Sequence, residues 1–111
     1  MTNSHKWNII SSEEDLQKAV QESYKRKVIL FKHSTRCSIS KGVLSKFEKQ
    51  MDESDYNIGY YFLSLLAHRD ISNQIATDFG IEHESPQIIV LEDGKAVLSA
   101  SHRSIDLSKI L

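Results

Sequence analysis

The side chain best suited to nucleophilic or redox chemistry is Cys37, the one cysteine among 111 residues. It follows Val28-Ile29-Leu30-Phe31-Lys32-His33-Ser34-Thr35-Arg36 and precedes Ser38-Ile39-Ser40. The first part of that stretch is an apolar, β-branched run, the pattern of a buried strand. After Cys37, residues Val43, Leu44, Phe47 and Met51 recur at helical spacing, with Lys41, Lys46 and Lys49 between them. The thiol is thus expected at a strand-to-helix junction. Unpaired backbone N–H groups and the positive end of the helix dipole favour a thiolate there. Such a position lowers a cysteine pKa by roughly one to several units from about 8.5. Lys32, His33, Arg36 and Lys41 are candidates to add cationic stabilisation. The plain alternative is a small buried hydrophobe, the usual fate of a lone cysteine. The polar neighbours Arg36 and Ser38 weigh against it. A single cysteine cannot close an intrachain disulfide, so a redox cycle must borrow its second sulfur from a small molecule or another protein.

The elements that must hold this thiol can be read outward from it. Trp7 to Ile10 fits a short edge strand. Ser11 with Glu14, or Ser12 with Asp15, has the spacing of a helix-capping box. Leu16, Ala19, Val20 and Tyr24 then mark one helical face to about Arg26. A strand over Val28 to about Lys32 leads to the helix after Cys37, which runs to about Met51. Ile58 to Leu66 is apolar at both parities, as in a strand covered on both faces. Asp70 or Ser72 is placed to cap a helix carrying Ile71, Ile75 and Phe79, and Gly80 fits its left-handed end. The only proline, Pro86, precedes the strand Gln87 to Leu91; Asp93-Gly94 is a two-residue hairpin signal, and Ala96 to Ala100 is the return strand. Ile105, Leu107, Ile110 and Leu111 suit a short terminal helix. The order β-α-β-α-β-α-β-β-α predicts an α/β fold. Its mixed sheet has four to five strands, helices on both faces and a C-terminal antiparallel hairpin.

Composition narrows the function. A length of 111 residues predicts a single domain over 1–111, and 40% hydrophobic with 26% charged residues is ordinary for a globular chain. A formal net charge of -1 argues against nucleic acid or a membrane surface held by bulk electrostatics. No apolar run nears the roughly 20 residues that span a bilayer. Met1 to Lys6 lacks an apolar signal-peptide core, and a lone cysteine suits a reducing compartment, so a cytoplasmic location is expected. The five histidines are dispersed, and no metal site is expected. His102 is another polar residue after the last strand, for which a surface position is the plainer reading than a site role.

This order, with a cysteine opening the second helix and a proline before the hairpin, resembles the thioredoxin fold. Ile75-Ala76-Thr77-Asp78-Phe79-Gly80-Ile81, Ser85-Pro86-Gln87-Ile88-Ile89-Val90 and Asp93-Gly94 resemble that superfamily's second half. More narrowly, Phe31 to Ser40 and His83-Glu84-Ser85-Pro86-Gln87 resemble the YtxJ-like monothiol bacilliredoxin family, over nearly the whole chain from about Trp7. The resemblance implies Cys37 as the catalytic thiol, with Ser40, Ser85, Pro86 and Thr35 as supporting residues. Pro86 would be cis and face the cysteine, and Ser85 would offer a backbone edge to substrate. It also implies the removal of bacillithiol, or a similar low-molecular-weight thiol, from thiolated client proteins. That thiol is then a cosubstrate, with no cofactor bound. Lys32 and Arg36 are candidates to hold its carboxylate, and His33 to tune the thiol. Ser40 stands where a resolving cysteine would be, and its hydroxyl could bond the thiolate. The sequence departs from the family at Ser38, where proline is usual. By counting, Phe31 occupies the place of the buried aspartate of thioredoxins, so no general base is evident beneath the thiol.

Two rival readings stand beside this one. The first is a thioredoxin-like adaptor or stress protein without turnover. The second is a monothiol glutaredoxin, against which Cys37-Ser38-Ile39-Ser40 differs from the Cys-Gly-Phe-Ser of that group.

Overall fold

The computed structural model describes residues 7–34, 38–53, 57–64, 67–101, 105 and 107. Within these, the element order is β1 (Trp7–Ile9), α1 (Glu13–Glu22), β2 (Val28–His33), α2 (Ser38–Asp52), β3 (Gly59–Ser64), α3 (Arg69–Phe79), β4 (Gln87–Glu92) and β5 (Lys95–Ser101). The five strands form one mixed sheet in the order β1-β3-β2-β4-β5. β1, β3 and β2 run parallel, and β4 lies antiparallel to both β2 and β5. This is the mixed α/β sheet with a terminal hairpin that the sequence predicts.

The side-chain alternation of β2 divides the core. Val28 and Leu30 face a cluster with Leu16 and Ala19 of α1, Ile71 and Ile75 of α3, and Tyr61, Leu63, Ile89 and Leu91 of the neighbouring strands. Ile29 and Phe31 face the opposite cluster, with Phe47 and Met51 of α2, Tyr60, Ile88 and Val90, closed by Ile105 and Leu107. All six residues of β2 are buried. A strand with a hydrogen-bonded neighbour on each side and helices above and below has no solvent face. Trp7 brings the edge strand into the second cluster. Its ring lies 5.7 Å from Phe31 and 6.0 Å from Phe47, within the range of favourable aromatic contacts.

Local chemistry explains the boundaries. Ser12 caps α1 by accepting from the Asp15 N–H, and the Asp15 carboxylate answers by accepting from the Ser11 N–H and hydroxyl. Of the two spacings offered by the sequence, the Ser12–Asp15 one forms the cap. Those Ser11 bonds hold the Asp15 carboxyl below its usual range. Gly80 ends α3 at a φ of 64°, and the Ile81 N–H reaches back to the Ala76 carbonyl. Asp93 and Gly94 both have positive φ, as a two-residue hairpin turn requires. Ser23 braces that turn, accepting from Asp93 N–H on its carbonyl and from Gly94 N–H on its hydroxyl.

One boundary departs from expectation. Helix α3 is capped by neither Asp70 nor Ser72. It starts at Arg69 after His68, which makes no side-chain cap bond. The chain already turns when His68 N–H donates to the Ser64 carbonyl and Ser72 N–H to the His68 carbonyl, so Ser72 is a helical residue with its side chain free for another task. The expected terminal helix lies mostly outside the described residues; Ile105 and Leu107 are buried, and Leu107 N–H donates to Gln50.

Candidate active site

The carboxyl end of β2 carries Lys32 and His33, which alternation sends to opposite faces of the sheet. Cys37, Thr35 and Arg36, together with His102, lie outside the described residues. The described support is therefore the end of β2, the first turn of α2 and the segment entering β4. Helix α2 begins at Ser38, one residue after Cys37 in the chain, and has no acidic residue in its first turn. Its dipole is thus not offset locally by a carboxylate.

On the α2 face, His33 and Ser40 are both buried, and His33 Nδ1 lies 2.7 Å from Ser40 Oγ. The Ser34 N–H donates to the same oxygen at 3.2 Å. Burial holds the His33 pKa below its usual value, and Lys41 lowers it further against a partial offset from Glu48. A neutral imidazole leaves two arrangements. With Nδ1 bare, the Ser40 proton is committed to His33. With Nδ1 protonated, Ser40 accepts from His33 and Ser34, and its own proton is free for another acceptor. The expected bond from Ser40 to a thiolate requires the second arrangement. The ring of Phe31 lies on this same face with its centroid 5.5 Å from that of Phe47, so hydrocarbon fills the place of the thioredoxin aspartate.

On the other face, Lys32 is fully buried. Its ammonium donates to the Ser72 carbonyl at 3.2 Å and meets His83 Nδ1 at 3.4 Å. Ser72 Oγ lies 3.2 Å from the same ring nitrogen. The sequence offers Lys32 as a holder of a ligand carboxylate; in the structure its ammonium faces the interior groups Ser72 and His83. Desolvation alone lowers its pKa to about 8. No carboxylate among the described residues pairs with it. In the sequence His83 stands only as part of the His83-Glu84-Ser85-Pro86-Gln87 motif, and nothing local points to its contact with Ser72. The available signal was parity: Lys32 shares a face with Val28 and Leu30, and so must point toward α3.

The Ser85–Pro86 peptide bond is cis, as the resemblance implied. Pro86 is buried at the entry to β4. Ser85 Oγ is buried too and has no hydrogen-bond partner among the described residues. Gln87, which pairs with Lys32 across the sheet, fixes the approach to this bond. Its amide donates to the Glu82 carbonyl at 2.9 Å and accepts from the Glu84 N–H at 3.4 Å.

A sheet of this topology, a helix beginning one residue after the lone cysteine and a cis-proline at the entry to the antiparallel strand define a protein of the thioredoxin fold with a single cysteine. Solved structures agree. A proposed oxidoreductase with a thioredoxin fold superposes with a TM-score of 0.80 at 28% identity, covering 94% of this chain and 89% of that one. The thioredoxin of Malassezia sympodialis gives 0.70 at 20% identity, covering 99% and 89%. That of Fasciola hepatica gives 0.69 at 17%, covering 93% and 91%. Residues 8–110 match the model of the monothiol bacilliredoxin BrxC family, and the chain belongs to that family. Its activity is thiol–disulfide oxidoreduction. No described helix is long and apolar enough to cross a membrane.

Proposed function

We propose that this protein strips bacillithiol, or a closely similar small thiol, from mixed disulfides on client proteins in the cytoplasm. The Cys37 thiolate attacks the bacillithiol sulfur of the mixed disulfide. The client leaves as its free thiolate, and Cys37 becomes joined to bacillithiol. A second bacillithiol thiolate then attacks the bacillithiol sulfur of that adduct. This frees Cys37 and yields bacillithiol disulfide, so one free bacillithiol is consumed for each client thiol released, its sulfur pairing with the one taken from the client. A partner redox protein is the other route for the second step.

The observation that carries the reading is the single cysteine of a chain belonging to a monothiol bacilliredoxin family, placed directly before α2. With no second thiol in the chain, the intermediate must be intermolecular. Incubation of the reduced protein with bacillithiol disulfide, followed by intact mass measurement, is expected to show one bacillithiol added and lost again on reduction. Peptide mapping is expected to place it on Cys37. Unmodified protein after prolonged incubation would remove the small-thiol cycle and favour the adaptor reading.

A further inference from the structure

His83 is exposed, yet its position is built. Gln87 ties down the residues on either side of it, Glu82 and Glu84. Lys32 and Ser72 engage its Nδ1 from below. A lysine ammonium can only donate, so Nδ1 must be the acceptor and the ring proton must sit on Nε2. No described residue bonds Nε2. Lys32 and Arg69 both disfavour a second positive charge on this ring, beyond the effect of its own desolvation, while Glu84 partly offsets them. The imidazole is thus a neutral, oriented donor resting on a buried cation.

That cation is the second observation. A fully buried ammonium without a carboxylate partner is costly, and folded proteins keep such a charge where another group answers it. Among the described residues no anion answers it; the ammonium meets the Ser72 carbonyl and the His83 ring, and of these two residues only His83 is exposed. His83 also lies three residues before the cis-proline, at the same end of the sheet from which the chain runs to Cys37.

We propose that His83 is a substrate-binding residue that donates its Nε2–H to a carboxylate of the small thiol being transferred, with Lys32 and Ser72 as the positioning residues that set its tautomer and supply the underlying positive charge. This deepens the proposed function and rests on it for the identity of the substrate. The carboxylate could also belong to an acidic side chain of a client, and the probes below separate the two sources.

The rate of Cys37 modification is compared for two small disulfides, the anionic 3,3′-dithiodipropionate and the neutral bis(2-hydroxyethyl) disulfide. Wild type is expected to favour the anionic one. His83→Ala is expected to lower the anionic-to-neutral rate ratio about tenfold, the loss of one charge-assisted hydrogen bond. His83→Gln, which keeps an N–H donor, is expected to recover part of that ratio. An unchanged ratio in His83→Ala would overturn the proposal for the small thiol. If the ratio is unchanged but His83→Ala slows release from acidic clients, the carboxylate is the client's and the proposal fails as stated. Should neither disulfide react, the thiol-transfer reading itself fails. The proposal is then judged by nitrogen-15 NMR of Cys37→Ser titrated with succinate. A shift of a His83 ring in the Nε2–H tautomer supports it, and an Nδ1–H tautomer or no shift overturns it.

Discussion

Cys37→Ser will abolish release of the small thiol from client proteins, leaving only the uncatalysed exchange with free thiol in solution. Disulfide exchange requires a thiolate, and a serine hydroxyl is neither ionised at neutral pH nor a nucleophile toward sulfur. The chain has no other cysteine to take over. The substitution is close to isosteric, so circular dichroism and thermal unfolding are expected to match wild type. The readout is the rate at which a labelled client regains its free thiol. Full retention of that rate would mean that the protein works by binding alone, as the adaptor reading holds.

Lys32→Met will stabilise the protein at pH 7, by about 3 kcal/mol at most, and will flatten the rise in stability that wild type shows in alkaline solution. The Lys32 pKa falls from 10.5 to about 8 because its ammonium is buried. Below pH 8 both states hold the proton, and the folded state bears the full cost of a desolvated charge. Between about pH 8 and 10.5 the folded protein has released that proton while the unfolded chain retains it. The unfolded state then binds more protons, and stability rises with pH. A separation of roughly 2.5 units, at about 1.36 kcal/mol per unit, sets the upper bound. Tyr61, raised to about 12 chiefly by burial and then by its bond to Glu22, acts in the other direction above pH 10. It is common to both proteins, so the difference between their urea-derived stabilities isolates Lys32. A constant difference from pH 7 to 11 would show that the ammonium is solvated.

Much of the scaffold could be read from residues whose preferences are strong and local. The both-parity apolar run around Tyr60 to Leu63, the glycine ending α3, the Asp93-Gly94 turn and the Ser12 cap each report a requirement met within a few residues. What stayed hidden was long range. β1 pairs with β3, and β3 lies between β1 and β2, which no local pattern states. Lys32 has the appearance of a strand-ending surface cation. Only the presence of β3 and β4 on its flanks and α3 above it makes the position interior. The sequence offers Asp70 or Ser72 as the helix cap, but the helix starts at Arg69, which places both inside it and leaves the Ser72 hydroxyl to meet His83. The pairing of His33 with Ser40 needed the angle between β2 and α2, which spacing alone does not provide.

Helix α2 begins at Ser38 with no acidic residue in its first turn, so a thiol one residue before it in the chain is expected to be acidified. The pH dependence of iodoacetamide alkylation at Cys37 measures this directly. The expected midpoint lies at least one unit below about 8.5, the value for an unperturbed thiol. A midpoint at or above that value would contradict it.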